Sequence, residues 1–146
     1  MEKEHFTTSI NAPREKVWDV LWNDTTYRLW TGVFSEGSCA ETDWQKGNKV
    51  LFLDAKKSGM ISTIADNIPN EFMSIKHLGT IKDGVEDYDS DETKKWAGAM
   101  ENYTLKTENG KTTLTVDMDI TDEYKDYFMT TWPKALEKVK ELAEKN

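Results

Sequence analysis

Two spacings of apolar residues alternate along the chain. "HFTTSI" alternates, putting Phe6, Thr8 and Ile10 on one face of a short strand. Pro13 then stands where a helix opens, a place where its missing N–H costs nothing. Val17, Trp18 and Leu21 recur at helical spacing through "PREKVWDVLW". Asp24 is placed to cap a second short helix, "TTYRLW", in which Tyr27 and Trp30 are three apart. The period then returns to two. "NKVLFLDA", "GMISTIADNI" and "EFMSIKHLGTI" read as strands, separated by turns at Lys57–Gly59 and Pro69-Asn70.

"YTLKTENGKTTLTVDMDI" carries the clearest local signal. Asn109-Gly110 is a preferred two-residue hairpin turn between alternating runs. In the second arm Leu114, Val116, Met118 and Ile120 form a buried face, and Thr113, Thr115, Asp117 and Asp119 a wet one. The chain ends on a helical stripe of Tyr124, Phe128, Trp132, Ala135, Val139 and Leu142, with Thr121 as N-cap. Pro133 inside that stripe predicts a kink or a restart near Trp132. The order is strand, two short helices, five or six antiparallel strands and a long C-terminal helix. This is an α+β layout, expected as a single domain over residues 1–146. A strongly curved sheet around one helix leaves a space between them. Trp18, Trp30, Trp96 and Trp132, with Phe52 and Phe128, are the rings expected to line it; Trp22 and Trp44 have no assigned direction.

Charge narrows the partners. The formal net charge of −8 disfavours nucleic-acid phosphates and anionic membranes alike, and it favours solubility. No run approaches the roughly 20 apolar residues of a membrane span. No apolar signal segment opens the chain, so a cytoplasmic location is expected. One cysteine, Cys39, allows no internal disulfide. Two histidines and one cysteine cannot build a multi-histidine or thiol-rich metal centre, and there is no glycine-rich phosphate loop, so no metal or cofactor is expected. In "DGVEDYDSDETKK", Asp87, Asp89 and Asp91 alternate like the opening of a calcium loop. The position that needs glycine is Glu92, however, and the one that needs a bidentate Glu is Gly98. The segment reads as a solvated loop, placed to cover a cavity mouth.

Three polar residues fall on faces that look inward. Met73, Ile75, His77 and Ile81 share one side of their strand, opposite Ser74, Lys76 and Thr80. Period two puts Glu101 on the side of Tyr103 and Leu105. Two readings fit His77: a satisfied core or rim histidine, or a polar anchor in an apolar pocket. Two fit Glu101: a rim residue in water, or a pocket carboxylate that must be paired. If the three are neighbours, His77 is a base or donor, Glu101 orients it, and Tyr103 donates to a ligand oxygen. Trp96, between the acidic loop and the strand of Glu101, is the best single ring for a ligand contact.

"INAPREKVWDVLWN" at the start and "TTWPKALEKVKELAE" at the end, with "NEFMSIKHLGTIKDG" and "KKWAGAMENYTL" between them, carry a resemblance over nearly the whole chain. The chain resembles the START-like (SRPBCC, birch-pollen-allergen-like) helix-grip superfamily, and within it bacterial homologues of the C-terminal domain of the heat-shock-protein-90 ATPase activator. The resemblance implies a curved antiparallel sheet around a long C-terminal helix. It also implies a cavity that takes a small hydrophobic or amphipathic molecule. It leaves two further roles open: a metal-free cyclase, aromatase or hydrolase using His77 and Glu101, and a chaperone co-factor with a protein partner. It brings no shared catalytic triad. The expected ligand contacts are His77, Glu101, Tyr103, Trp96, Trp30, Trp18, Phe128 and Trp132.

Overall fold

Nine residues at the start alternate strictly enough to form β1 (Glu2–Ile10), which buries Phe6 and Ile10. Pro13 sits with extended backbone just before α1 (Arg14–Trp22), whose buried side is Val17, Val20, Leu21 and Trp22. The computed structural model describes residues 1–145. Asn23, one residue earlier than expected, caps α2 (Asp24–Thr31): its side-chain oxygen accepts from the Thr25 N–H at 3.0 Å. Asp24 instead lies in the first turn, where its charge suits the helix dipole.

The strands are β2 (Cys39–Glu41), β3 (Lys49–Leu53), β4 (Gly59–Ile68), β5 (Phe72–Lys82), β6 (Val85–Asp87), β7 (Met100–Glu108) and β8 (Lys111–Ile120). They form one curved antiparallel sheet in the order β1-β8-β7-β5-β4-β3-β2, with β6 paired to β5 beside that path. Two short strands escape the sequence pattern. β2 falls in a segment that reads as a turn, and β6 opens the acidic loop; three residues are too few to show a period. A one-turn helix, α3 (Asp91–Lys94), follows β6. It is capped by Ser90, whose Oγ accepts from the Thr93 N–H at 3.2 Å. In the same loop the Asp87 carboxylate accepts from the Asp89 and Ser90 N–H groups, both at 3.0 Å. The Ser90 side chain, and then those backbone bonds, favour the ionised form and hold its pKa below the ordinary aspartate value.

Asn109 and Gly110 both have positive φ, 52° and 79°, as the predicted hairpin turn requires. The last element, α4 (Asp122–Glu144), runs unbroken through Pro133, where the sequence predicts a kink or restart. Pro133 is exposed, and one missing bond in 23 residues does not end the helix. Thr121 occupies the N-cap position with extended backbone, but its hydroxyl makes no capping bond. The buried stripe of α4 is Thr131, Trp132, Ala135, Leu136, Val139 and Ala143, while Tyr124 at its start is exposed. α4 packs on β1, α1 and α2, so the main core lies between the helices and the concave face of the sheet.

The β4–β5 ladder is interrupted twice. Ile61 pairs with Gly79 but Ser62 pairs with His77, leaving Leu78 extra; Ile64 pairs with Ile75 but Asp66 with Ser74, leaving Ala65 extra. Each bulge reverses the facing of the residues beyond it. This corrects one expectation. Ile81 does not share a face with His77. It packs with Leu53 and Ile61 in a second, smaller cluster, whereas Met73 and Ile75 stay in the main core.

Candidate functional site

The bulge at Leu78 brings Ser62 of β4 and His77 of β5 side by side in the ladder. Across the other edge of β5, the His77 N–H donates to the Ala99 carbonyl and Ile75 pairs with Glu101. Glu101 is therefore the diagonal neighbour of His77, within reach of a long side chain. Tyr103, two residues on, points to the same face as Glu101. The four side chains form one hydrogen-bonded chain. Ser62 Oγ lies 2.7 Å from His77 Nδ1, and His77 Nε2 lies 3.1 Å from Glu101 Oε1. The Tyr103 hydroxyl donates to Glu101 Oε2. With the carboxylate ionised, Nε2 carries the proton and donates to Glu101, leaving Nδ1 to accept from the Ser62 hydroxyl.

This chain is dry. Ser62 is 0% exposed, His77 5% and Tyr103 2%, and the Glu101 side chain is 15% exposed. A carboxylate at such a depth must be paired, and both its oxygens are. Burial and the Glu101 charge together push the Tyr103 hydroxyl well above the ordinary tyrosine range. Burial does the same to Tyr27, with smaller contributions from Glu101 and Cys39.

Aromatic rings cover the chain. Tyr103 is the hub: its ring lies 4.8 Å from Trp22, 6.1 Å from Trp132 and 6.4 Å from Trp30, centre to centre. Phe52 stands 6.1 Å from the His77 ring. Trp30 is fixed by its Nε1–H, which donates to the Leu21 carbonyl at 3.1 Å. Trp22 and Trp132, both buried, have indole N–H groups with no acceptor among the described residues. Trp18 meets the layer edge-on against Trp22 at 6.0 Å. Phe128 closes its far end against Phe34 at 6.2 Å.

The structure thus brings His77, Glu101, Tyr103, Trp30 and Trp132 together and sets Trp18 and Phe128 at the margins. Trp96 stands apart. It is half-buried after α3, and among the described residues its ring meets no other aromatic ring and joins neither core cluster. Its backbone carbonyl accepts from the Ala99 N–H. Sequence reasoning finds no Ser–His–acid pattern, yet the register builds one by adding Ser62. The available signal was a small polar residue in step with Ile64 on an apolar strand face. Tyr27 was also missed as a site residue, because helical spacing alone does not say what a ring faces.

Among the described residues, no three His, Cys, Asp or Glu side chains converge, and no helix is long and apolar enough to cross a membrane. Two surface clefts of about 320 Å³ flank the layer. One is lined by Trp22, Asp24, Tyr27, Ala40, Glu41, Thr42 and Trp44. The other lies between β1 and α4, with Phe6, Pro133 and Leu136 in its wall.

Neither protein-family models nor curated proteins yield a match to the chain. Solved structures do. The Aha1 of Colwellia psychrerythraea, a dimer, superposes with a TM-score of 0.75 at 18% identity, over 99% of this chain and 97% of that one. Protein MLL2253 of Mesorhizobium loti gives 0.74 at 14% identity, over 97% and 96%. CalU16 of Micromonospora echinospora gives 0.67 at 14% identity, over 97% and 76%. At these identities the likeness is one of architecture: the chain has the helix-grip fold that these proteins share.

Proposed function

We propose that the chain binds a small amphipathic molecule between the sheet and α4. Its apolar body lies against Trp30 and Trp132, with Trp18 and Phe128 at the ends. Its polar end reaches the group formed by His77, Glu101 and Tyr103. One observation carries this reading. The rings of Trp22 and Trp132 flank Tyr103, and both carry a buried N–H without an acceptor among the described residues. An apolar core needs no such groups, and each one left unpaired costs about 1–3 kcal/mol. A ligand carbonyl or carboxylate oxygen would accept from them. The rings now pack on one another, so uptake requires some of them to rotate outward, and the ligand selects that opened form.

The test is native mass spectrometry of gently purified protein against its denatured mass, followed by melting with fatty acids, sterols and aromatic polyketides. An extra mass lost on denaturation, or a raised melting temperature, is expected, because a ligand at 100 times its Kd adds about 2.7 kcal/mol. A clean apo mass together with an unmoved melting temperature across the panel would overturn the reading.

The order hydroxyl, imidazole, carboxylate in Ser62–His77–Glu101 favours a second reading. There Glu101 orients His77, and His77 takes or returns a proton. On that reading His77→Ala and Glu101→Gln both abolish turnover of a bound substrate while binding survives. Unchanged turnover in both variants would remove it.

A further inference from the structure

The cleft beside α2 differs in chemistry from the layer behind it. Three aromatic side chains wall it, Trp22, Tyr27 and Trp44, and two carboxylates stand at its rim, Asp24 and Glu41. The rings make one connected surface: Trp44 lies 4.7 Å from Trp22 and 5.8 Å from Tyr27, centre to centre, tilted at 53° and 61°. Trp44 is held there at a price in backbone geometry, with φ of 60°, a value that bulky residues avoid. Polar contacts fix it in place. Its N–H donates to Thr42 Oγ1 at 3.0 Å, and its carbonyl accepts from Asn67 Nδ2 at 2.8 Å.

The two rim carboxylates are not equivalent. Asp24 is paired with Arg28 one turn along α2, at 3.1 Å. Glu41 is exposed and has no ion pair or side-chain hydrogen bond among the described residues. An uncompensated carboxylate in a cleft that indole rings also line attracts a cation and repels an anion, since the rings are electron-rich at their centres. The overall charge of −8 adds to that field. A volume of about 320 Å³ lies at the small end of small-molecule sites and suits a compact head group.

We propose that this cleft binds an organic cation, a tertiary or quaternary ammonium group, against the rings of Trp44 and Trp22 with Glu41 as its counter-charge. The cleft shares Trp22 with the buried layer, but the proposal does not rest on a ligand between the sheet and α4.

Choline and its neutral carbon isostere, 3,3-dimethylbutan-1-ol, separate charge from shape. Each is titrated into the intact protein and followed by the indole N–H signals in NMR and by tryptophan fluorescence. Choline should shift the Trp22 and Trp44 signals saturably, and the isostere should bind at least ~3-fold more weakly. Glu41→Gln should weaken choline by ~3-fold or more and leave the isostere unmoved. Trp44→Leu, which keeps an apolar wall and removes the ring, should abolish the preference. If Trp44→Leu does not fold, Glu41→Gln alone decides, since its side chain is exposed. Equal binding of choline and its isostere, choline binding indifferent to Glu41→Gln, or no saturable shift of the two signals would each overturn the proposal.

Discussion

The two halves of the sheet are built differently. On one side, β1 and β8 pair without interruption from Glu2↔Ile120 to Ile10↔Thr112, and β7 and β8 from Glu101↔Met118 to Glu108↔Lys111. On the other, β4 and β5 slip twice within one ladder. In the regular half, position parity decides which face a side chain takes, so Leu114, Val116, Met118 and Ile120 are all buried as a period of two requires. In the interrupted half, parity fails at each bulge. The bulge at Leu78 falls where β5 stops pairing with β7, past His77, and starts pairing with β6 at Thr80. It sends His77 to the concave face and Ile81 to the other. The regular half supplies the wall, and the irregular half aims the polar groups.

The sharpest way to break that comparison is to delete one residue from the regular half. Removing Thr115 from β8 turns every side chain on one side of the cut to the wrong face, either Leu114 or the run from Val116 to Ile120. Loss of cooperative unfolding is expected, read by circular dichroism during a denaturant titration. A variant that still unfolds in one sharp transition would mean that β8 can absorb a bulge as β5 does.

Truncations rank the two clusters. Leu114 is 0% exposed at the centre of the main core, and Leu114→Ala should lower stability by roughly 3–5 kcal/mol. Ile81 belongs to the cluster of Leu53 and Ile61, and Ile81→Ala should lie near the lower end, about 2 kcal/mol. Denaturant midpoints measure both. An Ile81→Ala loss as large as that of Leu114→Ala would place Ile81 with the main core and undo the argument from the bulge.

The sequence shows the order of the longer elements, the hairpin at Asn109-Gly110 and the strand side that Glu101 shares with Tyr103, because all three follow from local period and turn chemistry. Nearness of His77 to Glu101 stands as one reading among others, since inward faces on two strands do not by themselves set their register. Ser62 was not readable. Its role depends on a register that skips Leu78, and the pairing of β4 with β5 is not encoded in either strand alone. Trp22 and Trp44 were undirected for a similar reason. Trp22 ends its helix, and Trp44 sits in a loop at positive φ where no period applies. The expectation for Trp96 follows from closeness in sequence to Glu101, which places its backbone beside the site, while its ring joins neither core cluster among the described residues.

Smaller effects come from the polar chain. Tyr103→Phe removes one donor from a buried carboxylate and should lower stability at neutral pH by about 1–2 kcal/mol. It should also change the response to base. The pKa of Tyr103 is raised on folding, so its neutral form favours the native state. That contribution is complete below the ordinary tyrosine pKa of about 10 and is lost as pH climbs above it toward the folded value. Wild-type stability should therefore fall in the alkaline range, and Tyr103→Phe should fall less steeply. Tyrosinate absorbance tests the same point: in the folded protein, Tyr103 and Tyr27 should resist ionisation above the ordinary tyrosine pKa of about 10. Parallel alkaline slopes for the two proteins would mean that Tyr103 is not desolvated.

The smallest effect should come from deleting Leu78. It is the residue without a partner between the pairs Ile61↔Gly79 and Ser62↔His77, so its removal joins two stretches that already face correctly on either side of the slip. Leu78 is only half-buried, and the expected loss is about 1 kcal/mol, the burial of part of one leucine. His77 should stay beside Ser62 and Glu101, and the NMR signals of its ring should keep their positions. The strain should appear one edge over, at the handover from β7 to β6, with faster amide exchange around Thr80 and Asp87. A deletion as damaging as that of Thr115 would show that the bulge is needed to hold both partners of β5 at once, and not merely to turn His77 inward. The two deletions, read together, decide whether the irregular half is tolerant because it is already slipped or fragile because the slip is where its geometry is set.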